Sequence, residues 1–457
     1  MNPVNAPSPA SSPSARPASS GSSPRTVAWA TMIGTAIEWY DSFAYGIAAA
    51  LVFDKVFFPA GTAPLLGVLL SFSTYAVGFA ARPFGGIVFA HYGDKTGRKA
   101  TLVVSLLMMG GATFLIGLLP GYTSWGVAAP ALLVALRIVQ GFGVGGEWGA
   151  AALMAVEHAP AHRRGFYGSW PQMGVPAGML VANLVFLALS GTVSDAAFQA
   201  WGWRIPFLAS LVLIVVGLAI RLRVGESPEF TALKTRGAVE RHPVVAVLRS
   251  QPKDILRAAG VRFAENSTFY VHTTFVLTYG TTVLTLDRNG LLIGVIISAA
   301  LGLVSLPLWG LASDRFGRRP VMLFGSALLA VMSWPYFWAL DTRSLPVIVL
   351  VTVICVNIGN HAVYAPQPAY FAELFEPQVR YSGASLGQQT ASVFAGGLSP
   401  LVATALLNVG DGYTLIALYM TAMCLITVVT ALVSPDPYRD GLRAAAPTPT
   451  TTEANHV

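Results

Sequence analysis

Long apolar stretches alternate with short polar ones along most of the chain. Each apolar stretch holds about 20 residues or more, which is the length that an α-helix needs to cross the hydrocarbon core of a bilayer. The stretches are too long for barrel strands and lack period-two alternation, so the pattern predicts a bundle of membrane-spanning helices. We place twelve spans, at approximately residues 28–53, 64–91, 100–119, 127–156, 166–190, 203–222, 257–279, 290–312, 320–340, 345–371, 382–408 and 413–433.

The spans fall into two groups of six. We predict an N-terminal six-helix bundle at residues 25–222 and a C-terminal one at residues 257–433, joined by a charged cytoplasmic linker at residues 223–256. Residues 1–24 are rich in Pro, Ser and Ala and are predicted to form a disordered cytoplasmic tail. They contain no short apolar core with a cleavage site, so we do not expect a signal peptide. Residues 434–457 form a second polar tail.

The composition agrees with a membrane protein, because 54% of the residues are hydrophobic and 11% are charged, whereas roughly a quarter are charged in soluble domains. A net charge of +7 would suit a nucleic-acid-binding protein. However, most of the 28 lysines and arginines lie in alternate connections, beginning with the N-terminal tail, and the connections on the other side hold Lys55, Arg288 and Arg343. The positive-inside rule therefore predicts cytoplasmic termini, and no nucleic-acid partner is expected.

A short charged motif occurs at the same place in each half. GDKTGRK at residues 93–99 follows the second span, and SDRFGRR at residues 313–319 follows the eighth. A second repeat, an acid followed seven residues later by an arginine, comes after the fourth and tenth spans. Repetition of this kind indicates a duplicated unit. The matched charges are Asp94, Arg98, Glu157 and Arg164 in the first half and Asp314, Arg318, Glu373 and Arg380 in the second.

Two acids lie near the middle of the first span. Glu38 and Asp41 are three residues apart, so they share a helix face. A carboxylate at mid-bilayer costs roughly 2.5–3.5 kcal/mol on insertion scales. Because both acids are about ten residues from either end of the span, we predict an ionisable pair that faces a cavity. An acid that reaches the membrane interface is the alternative.

Polar stripes in other spans predict a wet interior. In the seventh span Arg262, Glu265, Phe269, His272 and Thr273 share a face, and a charged stripe that faced lipid would be costly. A purely structural pair between Arg262 and Glu265 remains an alternative, as does a structural role for His361. Further polar residues come from the fifth, tenth and eleventh spans. The predicted substrate-binding residues are Arg262, Glu265, Gln172, His272, Asn360, His361, Gln388 and Gln389.

We predict no enzyme activity, cofactor or metal. His158 and His162 have H-x-x-x-H spacing, but Pro160 lies between them and no Glu follows the first His. Cys355 and Cys424 both fall inside apolar spans, where neither suggests a disulfide or a metal ligand. No combination of a nucleophile with a base is found.

These motifs resemble the major facilitator superfamily of secondary transporters, whose signature loop lies between the second and third helices of each half. The first copy departs from that pattern, because Ala90 replaces the leading glycine that Gly310 keeps. E-W-Y-D in the first span, R-x-x-Q-G with G-G-E-W-G in the fourth and E-S-P-x-F at residues 226–230 look like the metabolite:proton symporter branch. R-Y-S-G-A at residues 380–384 is similar to the shikimate/dehydroshikimate type of that branch.

The resemblance implies an all-α membrane protein with twelve transmembrane helices in two six-helix bundles, related by an axis along the membrane normal. Substrate would bind between them near the midplane and cross by alternating access. Asp41 matches the proton-carrying Y-D acid of related sugar porters, where that acid lies close to the fourth-span arginine, here Arg137. Glu38 is the second candidate for proton coupling.

The resemblance also implies that the eight matched charges form a cytoplasmic network of ion pairs that closes one side. Their spacing suggests that Glu157 pairs with Arg164 and that Glu373 pairs with Arg380, although charges that cap helix ends are an alternative.

The function expected from the sequence is a proton-coupled symporter of the inner membrane that imports a small organic acid. Its partners would be the acid, the proton and the lipid bilayer, and it would act as a monomer. A sensor on the same fold that does not transport, an uncoupled facilitator and an osmolyte transporter of the proline/betaine type remain alternatives.

Overall fold

A computed structural model describes residues 22–59, 61, 64–409 and 412–438 of the chain. The predicted disorder of residues 1–21 and the end of the C-terminal tail lie outside the described residues. Within them the chain forms helices and no strand. The six long helices of the first half are α1 (Pro24–Leu51), α2 (Pro64–Thr96), α3 (Arg98–Leu118), α4 (Ala128–Glu157), α5 (Arg164–Thr192) and α6 (Ile205–Arg223).

The second half repeats this arrangement, but three of its helices consist of several pieces. The six long helices of the second half are α7 (Pro252–Gly260, Phe263–Tyr270, Val271–Phe275 and Val276–Thr282), α8 (Arg288–Phe316), α9 (Arg318–Asp341), α10 (Leu345–Val353, Ile354–Asn360, His361–Tyr364 and Gln367–Leu374), α11 (Arg380–Ala391, Ser392–Gly397 and Ser399–Val409) and α12 (Thr414–Val433). The pieces Val271–Phe275, Ile354–Asn360 and Ser392–Gly397 are π-helical. The predicted twelve-helix arrangement in two groups of six is confirmed.

Short helices fill the connections. They are Phe53–Val56, Tyr122–Trp125, Ala161–Arg163, Asp195–Ala200, Gly202–Arg204 and, between the halves, Pro228–Thr235 and Pro243–Ser250. Among the described residues, eight helical stretches are long and apolar enough to cross a membrane on length and composition alone. Helix α1, which carries Glu38 and Asp41, is not among them.

The duplicated motif forms the turn between α2 and α3 and the turn between α8 and α9. Gly97 has a φ of 117° and Gly317 a φ of 98°, a region that residues with a side chain rarely adopt. A Cβ on Gly97 would also collide with the carboxylate of Glu226. We call the end of the bundle that carries these two turns the loop side.

The two halves meet mainly along two helix pairs, α5 with α8 and α2 with α11, and α4 also contacts α10 and α11. Within the first half α2 lies very close to α4, where a Cβ on Gly141 would strike the backbone of Gly78 and one on Gly145 the backbone of Arg82. The small residues of the fourth span therefore permit close helix packing, as is common in membrane bundles. This packing brings the polar residues of α4 next to α1 and α2.

Candidate functional site

A cavity lies between the halves, lined by α1 and α5 on one side and by α7, α8 and α10 on the other. Four aromatic residues contribute to its wall, namely Trp39, Phe269, Tyr270 and Tyr364. Of the predicted substrate-binding residues, Arg262, Glu265, Asn360 and His361 line it. The chemistry of this cavity is apolar and aromatic over most of its wall, with polar groups concentrated on α7, α8 and α10.

Arg262 is a buried charge held by three neighbours. Its Nη2 atom lies 2.8 Å from Oε1 of Glu265, one turn further along α7. Its Nη1 atom donates a hydrogen bond of 2.7 Å to Oε1 of Gln367 on α10, and the guanidinium lies 5.1 Å from the centroid of the Trp148 ring. A guanidinium fork of this kind suits a carboxylate, because it offers two parallel N–H donors.

Asn360 fixes the backbone beside this pair. Its Nδ2 atom donates to the carbonyl oxygen of Glu265 at 2.8 Å and also contacts Oγ1 of Thr268 at 3.3 Å. A neighbour on α7, Asn266, lines the cavity and has a buried Nδ2 atom with no hydrogen-bond partner among the described residues. An amide donor buried without a partner costs about 1–3 kcal/mol, so Asn266 is a position where a bound ligand would be stabilised.

A second polar cluster lies on α8 and α10. Ser305 donates to Oδ1 of Asn357 at 2.9 Å and contacts Nδ1 of His361 at 2.6 Å. The Nδ2 atom of Asn357 donates to Ser298 at 2.9 Å. Both His361 and Ser298 line the cavity. This cluster is neutral, in contrast to the charged pair on α7.

Two of the predicted substrate-binding residues join helices rather than line the cavity. Gln172 accepts from Nε1 of Trp148 at 2.9 Å and donates to the carbonyl of Tyr364 at 3.2 Å, so it connects α5 to α4 and α10. Gln389 donates to the carbonyl of Gly145 at 2.8 Å and so connects α11 to α4. Gln388, its neighbour on α11, is half-buried and does not line the cavity either.

His272 does not lie with the other residues of its predicted stripe. It is buried against Tyr336 of α9, with ring centroids 4.4 Å apart, and is absent from the cavity wall, which Thr273 reaches instead. The placement assumed one continuous α-helix with 3.6 residues per turn. The π-helical turn at Val271–Phe275 interrupts that register, because it holds more residues per turn.

The acids of α1 have different surroundings. Asp41 is fully buried and accepts hydrogen bonds from Thr113 of α3 at 3.0 Å and Ser210 of α6 at 2.7 Å. Glu38 is also buried, and its Oε2 atom has no hydrogen-bond partner among the described residues. The two acids therefore lie in separate environments, although the sequence predicts that they share a helix face.

The predicted closeness of Asp41 and Arg137 takes the form of a hydrogen-bonded chain. Arg137 donates to Oε1 of Gln140 one turn on, and Nε2 of Gln140 donates to Thr113 at 2.8 Å. Thr113 in turn donates to Asp41. The guanidinium of Arg137 also lies 3.8 Å from the centroid of the Tyr45 ring. Gln140 and Thr113 thus connect the arginine to the acid.

A buried ion pair that the sequence analysis did not assign lies nearby in the first half. Arg221 of α6 contacts Glu147 of α4, and Glu147 also accepts from Ser105 of α3 at 3.0 Å. A Cβ on Gly34 would come within 2.6 Å of the Arg221 guanidinium, so the glycine leaves room for it. The motif G-G-E-W-G contains Glu147, but its partner Arg221 lies on another helix, and sequence spacing does not reveal that contact.

The loop side holds two equivalent sets of charges. In the first half Arg98 lies 3.3 Å from Asp94 and 3.6 Å from Glu157. In the second half Arg318 lies 2.6 Å from Asp314 and 3.0 Å from Glu373. The two aspartates also accept hydrogen bonds from the other half. Asp94 accepts from the backbone N–H groups of Tyr381 and Ser382, and Asp314 accepts from those of Gly165 and Phe166.

The ion pairs expected from spacing, Glu157 with Arg164 and Glu373 with Arg380, are wrong. Glu157 instead lies 3.4 Å from Arg380 of the other half, and Glu373 pairs with Arg318. The seven-residue spacing placed these charges at the correct end of the bundle. It could not show that their partners come from other helices.

Residues after α6 and α12 complete the loop side. Glu229, in the segment after α6, pairs with Arg164 at 3.0 Å and also contacts Arg380, so it bridges the two halves. Glu226 accepts from the backbone N–H of Arg98 at the start of α3, and Asp436 accepts from that of Arg319 near the start of α9. Glu226 and Asp436 thus accept hydrogen bonds from N–H groups at helix N-termini, which have no partner within the helix.

Comparison with known proteins agrees with this architecture. The family model of the Major Facilitator Superfamily matches residues 30–384 and again residues 289–454. The chain is 41% identical to the "Shikimate transporter" of Escherichia coli (strain K12), over 91% of this chain and 95% of that protein. It is 39% identical to the "Inner membrane metabolite transport protein YhjE" of the same organism, over 89% and 92% of the two chains.

A more distant relative is the "Proline/betaine transporter" of Escherichia coli (strain K12), which is 33% identical over 92% of this chain and 85% of that protein. Among solved structures, the proton:xylose symporter XylE bound to 6-bromo-6-deoxy-D-glucose superimposes with a TM-score of 0.72 at 17% sequence identity. That match covers 90% of this chain and 94% of the other, and it shows the fold.

Proposed function

We propose that this chain, which belongs to the major facilitator superfamily, is a proton-coupled symporter that imports a small organic acid by alternating access. Relatives that span most of its length are named as transporters, so the chain is a multi-pass membrane transporter and not an enzyme. The substrate, the proton coupling and the orientation in the membrane are the parts that we propose.

The arginine in the cavity is the observation that carries the proposal of an acid. Arg262 is buried, presents a planar guanidinium fork, and lies 2.8 Å from the carboxyl group of Glu265. A substrate carboxylate would compete with Glu265 for the guanidinium fork, and each charge-assisted hydrogen bond contributes about 1.5–3 kcal/mol. The relative named as a shikimate transporter, at 41% identity, supports the same chemistry, because shikimate is a carboxylic acid.

For the coupling, we propose that Asp41 carries the proton. It is fully buried and connected through Thr113 and Gln140 to Arg137. Movement of Arg137 relative to Asp41 during transport would change how strongly the acid holds its proton, because a nearby positive charge favours the carboxylate and burial disfavours it. Glu38 remains the second candidate.

We further propose that the loop side is cytoplasmic, as the distribution of lysine and arginine predicts, and that both termini lie there in the inner membrane. The eight matched charges together with Glu229 would then close the cytoplasmic face while the cavity receives substrate from outside.

Reconstituted protein tests this function. Proteoliposomes with an inward proton gradient should accumulate shikimate or another small acid above its external concentration, and a protonophore should abolish the accumulation. Binding of an acid in the absence of any uptake would instead favour a sensor. Uptake that never exceeds equilibrium would favour an uncoupled facilitator.

An osmolyte transporter is the second candidate, supported by the relative named as a proline/betaine transporter. Four aromatic rings line the cavity and can hold a quaternary ammonium by cation–π attraction, and the carboxylate of Glu265 can attract the same cation by its charge. Uptake of glycine betaine without uptake of any organic acid would favour this candidate.

A further inference from the structure

We propose that the second polar cluster of the cavity is a subsite for a hydroxyl group of the substrate, with His361 as the acceptor and Ser298 as the donor. This inference rests on the proposed function, because it assigns the substrate class of the same cavity. The cluster consists of Ser298, Asn357, Ser305 and His361, and we call it the relay.

The hydrogens of the relay can be counted. Ser305 donates its single hydroxyl hydrogen to Oδ1 of Asn357, at 2.9 Å. Its oxygen lies 2.6 Å from Nδ1 of His361, so Ser305 has to accept there and Nδ1 has to carry the hydrogen. In a neutral imidazole the other ring nitrogen is then an acceptor. Nε2 of His361 is therefore the acceptor that remains for a ligand.

The other end of the relay is a donor. Asn357 uses its Nδ2 atom to donate to Ser298 at 2.9 Å. The oxygen of Ser298 is thus already an acceptor, and its own hydroxyl donates to no group among the described residues, so its hydrogen can bond a ligand. Ser298 and His361 both line the cavity, so the wall offers one donor and one acceptor from neighbouring helices. A hydroxyl group, which donates and accepts at once, matches both.

Packing holds the imidazole in this orientation. A Cβ on Gly302 of α8 would lie 3.0 Å from Cε1 of His361, which is closer than an ordinary van der Waals contact, so the glycine leaves room for the ring edge against the helix. Trp309, also on α8, donates from Nε1 to the carbonyl of Asn357 at 2.8 Å. The backbone of α10 and the ring are therefore both positioned before a ligand arrives, which reduces the entropy lost on binding.

The relay separates the substrate classes that the relatives' names suggest. A hydroxylated carboxylic acid would present its acid group to Arg262 and a hydroxyl to the relay. Glycine betaine has a carboxylate but no hydroxyl and no N–H, so it would leave Nε2 of His361 unpaired. A site built to bond a hydroxyl rejects an analogue that lacks it more strongly than it rejects a change in apolar size.

The test compares two ligands on purified protein. Shikimate and cyclohex-1-ene-1-carboxylate have the same ring and acid group, but only shikimate carries hydroxyls. We expect shikimate to bind roughly 10- to 100-fold more tightly, as one or two hydrogen bonds and their desolvation imply. Equal binding of the two acids would overturn the subsite while leaving the proposed acid transporter intact. Failure of the proteoliposomes to take up any small organic acid would overturn the proposed function instead.

Two substitutions of His361 locate the effect. The amide of His361→Asn reaches about as far as Nδ1 and keeps the bond to Ser305, but it removes the acceptor at Nε2. The amide of His361→Gln reaches about as far as Nε2 and keeps a polar group in the cavity. We expect the preference for shikimate over cyclohex-1-ene-1-carboxylate to disappear in His361→Asn and to be partly retained in His361→Gln.

Ser305→Ala tests the relay without altering the cavity wall. It removes the acceptor that fixes the His361 hydrogen on Nδ1, so the preference for shikimate should fall several-fold. Ser333→Ala is the matched control, because Ser333 is a buried serine of α9 that donates to the carbonyl of Leu329 outside the cavity. A loss of preference of the same size in Ser333→Ala, or no loss in Ser305→Ala, would contradict the relay.

Discussion

The carboxylate of Asp94, at the loop-side end of α2, accepts a hydrogen bond of 2.8 Å from the backbone N–H of Ser382 at the start of α11. This bond joins the two halves. In the equivalent position Asp314 reaches back to Phe166 at the start of α5, also at 2.8 Å. Each half thus places a negative charge on a helix N-terminus of the other, where the helix dipole and the unpaired N–H groups attract it.

We predict that Asp94→Asn opens the loop side more easily and slows transport, with little change in equilibrium substrate affinity. Asp94 uses one carboxylate oxygen for Tyr381 and the other for Ser382, whereas an amide has a single oxygen, so at least one of these N–H groups loses its acceptor. A loss of about 1–2 kcal/mol would change the ratio of closed to open protein by a factor of roughly 5–30. Opening can be measured as the labelling rate of a thiol introduced by Ser385→Cys, because Ser385 is buried on α11. Both native cysteines are buried, so their labelling background should be low.

Asp436→Asn is the control for this experiment. Asp436 also accepts from a backbone N–H near a helix start, that of Arg319, but both residues belong to the second half. It should therefore leave the labelling rate almost unchanged. If Asp94→Asn weakens substrate binding strongly and does not change labelling, Asp94 does not act in gating.

We predict a smaller effect for Glu229→Gln, which removes the charge that bridges Arg164 and Arg380. The side chain of Glu229 is 25% exposed, and ion pairs near the surface contribute about 1 kcal/mol or less. The rate of labelling at Ser385→Cys should rise less than fivefold, and the difference from the unmodified protein should shrink at high salt. Asp254→Asn, which breaks a pair with Arg257 inside the second half, should have no such effect.

The sequence predicted the fold well, because the length of the apolar spans indicates membrane-crossing helices and the duplicated motif indicates two equivalent halves. It also placed the eight matched charges at one end of the bundle. It could not predict their partners, since an i to i+7 spacing contains no information about contacts between halves. Glu157 of α4 meets Arg380 of α11, and this contact depends on how the two halves pack against each other.

Part of the cavity wall could also be predicted from the sequence. Arg262, Glu265, Asn360 and His361 came from helical periodicity and do line it. The prediction that His272 lines the cavity is wrong, because a π-helical turn changes the helical periodicity and sequence patterns do not reveal such a turn. The contacts of Arg262 with Gln367 and Trp148 depend on how α10 and α4 pack against α7, so they could be found only in the structure.

We predict that Arg262→Lys weakens acid binding at least about tenfold and spares a neutral analogue such as the corresponding amide. Lysine keeps the charge but loses the planar fork that contacts Glu265 and Gln367 together. Binding of the acid and its amide can be compared by calorimetry in both proteins. Equal affinity for acid and amide in the unmodified protein would show that Arg262 and Glu265 form a structural pair, and it would favour a neutral or zwitterionic substrate.

The last prediction concerns the proton. Asp41→Asn should abolish accumulation of substrate driven by a proton gradient, while exchange of labelled for unlabelled substrate across the membrane stays at least partly intact. The variant should fold, because the asparagine oxygen can accept from Thr113, which bonds one carboxylate oxygen of Asp41, while the amide N–H can donate to the hydroxyl oxygen of Ser210, which bonds the other. Glu38→Gln is the matched comparison, since Glu38 is an equally buried acid one turn earlier and has an Oε2 atom without a described hydrogen-bond partner. If Asp41 carries the proton, Glu38→Gln should still accumulate substrate when a proton gradient is applied.

The reverse result, with accumulation by Asp41→Asn and exchange alone by Glu38→Gln, would move the coupling role to Glu38. In that case the chain from Arg137 through Gln140 and Thr113 would serve to hold Asp41 in a fixed charge state instead of changing it during transport.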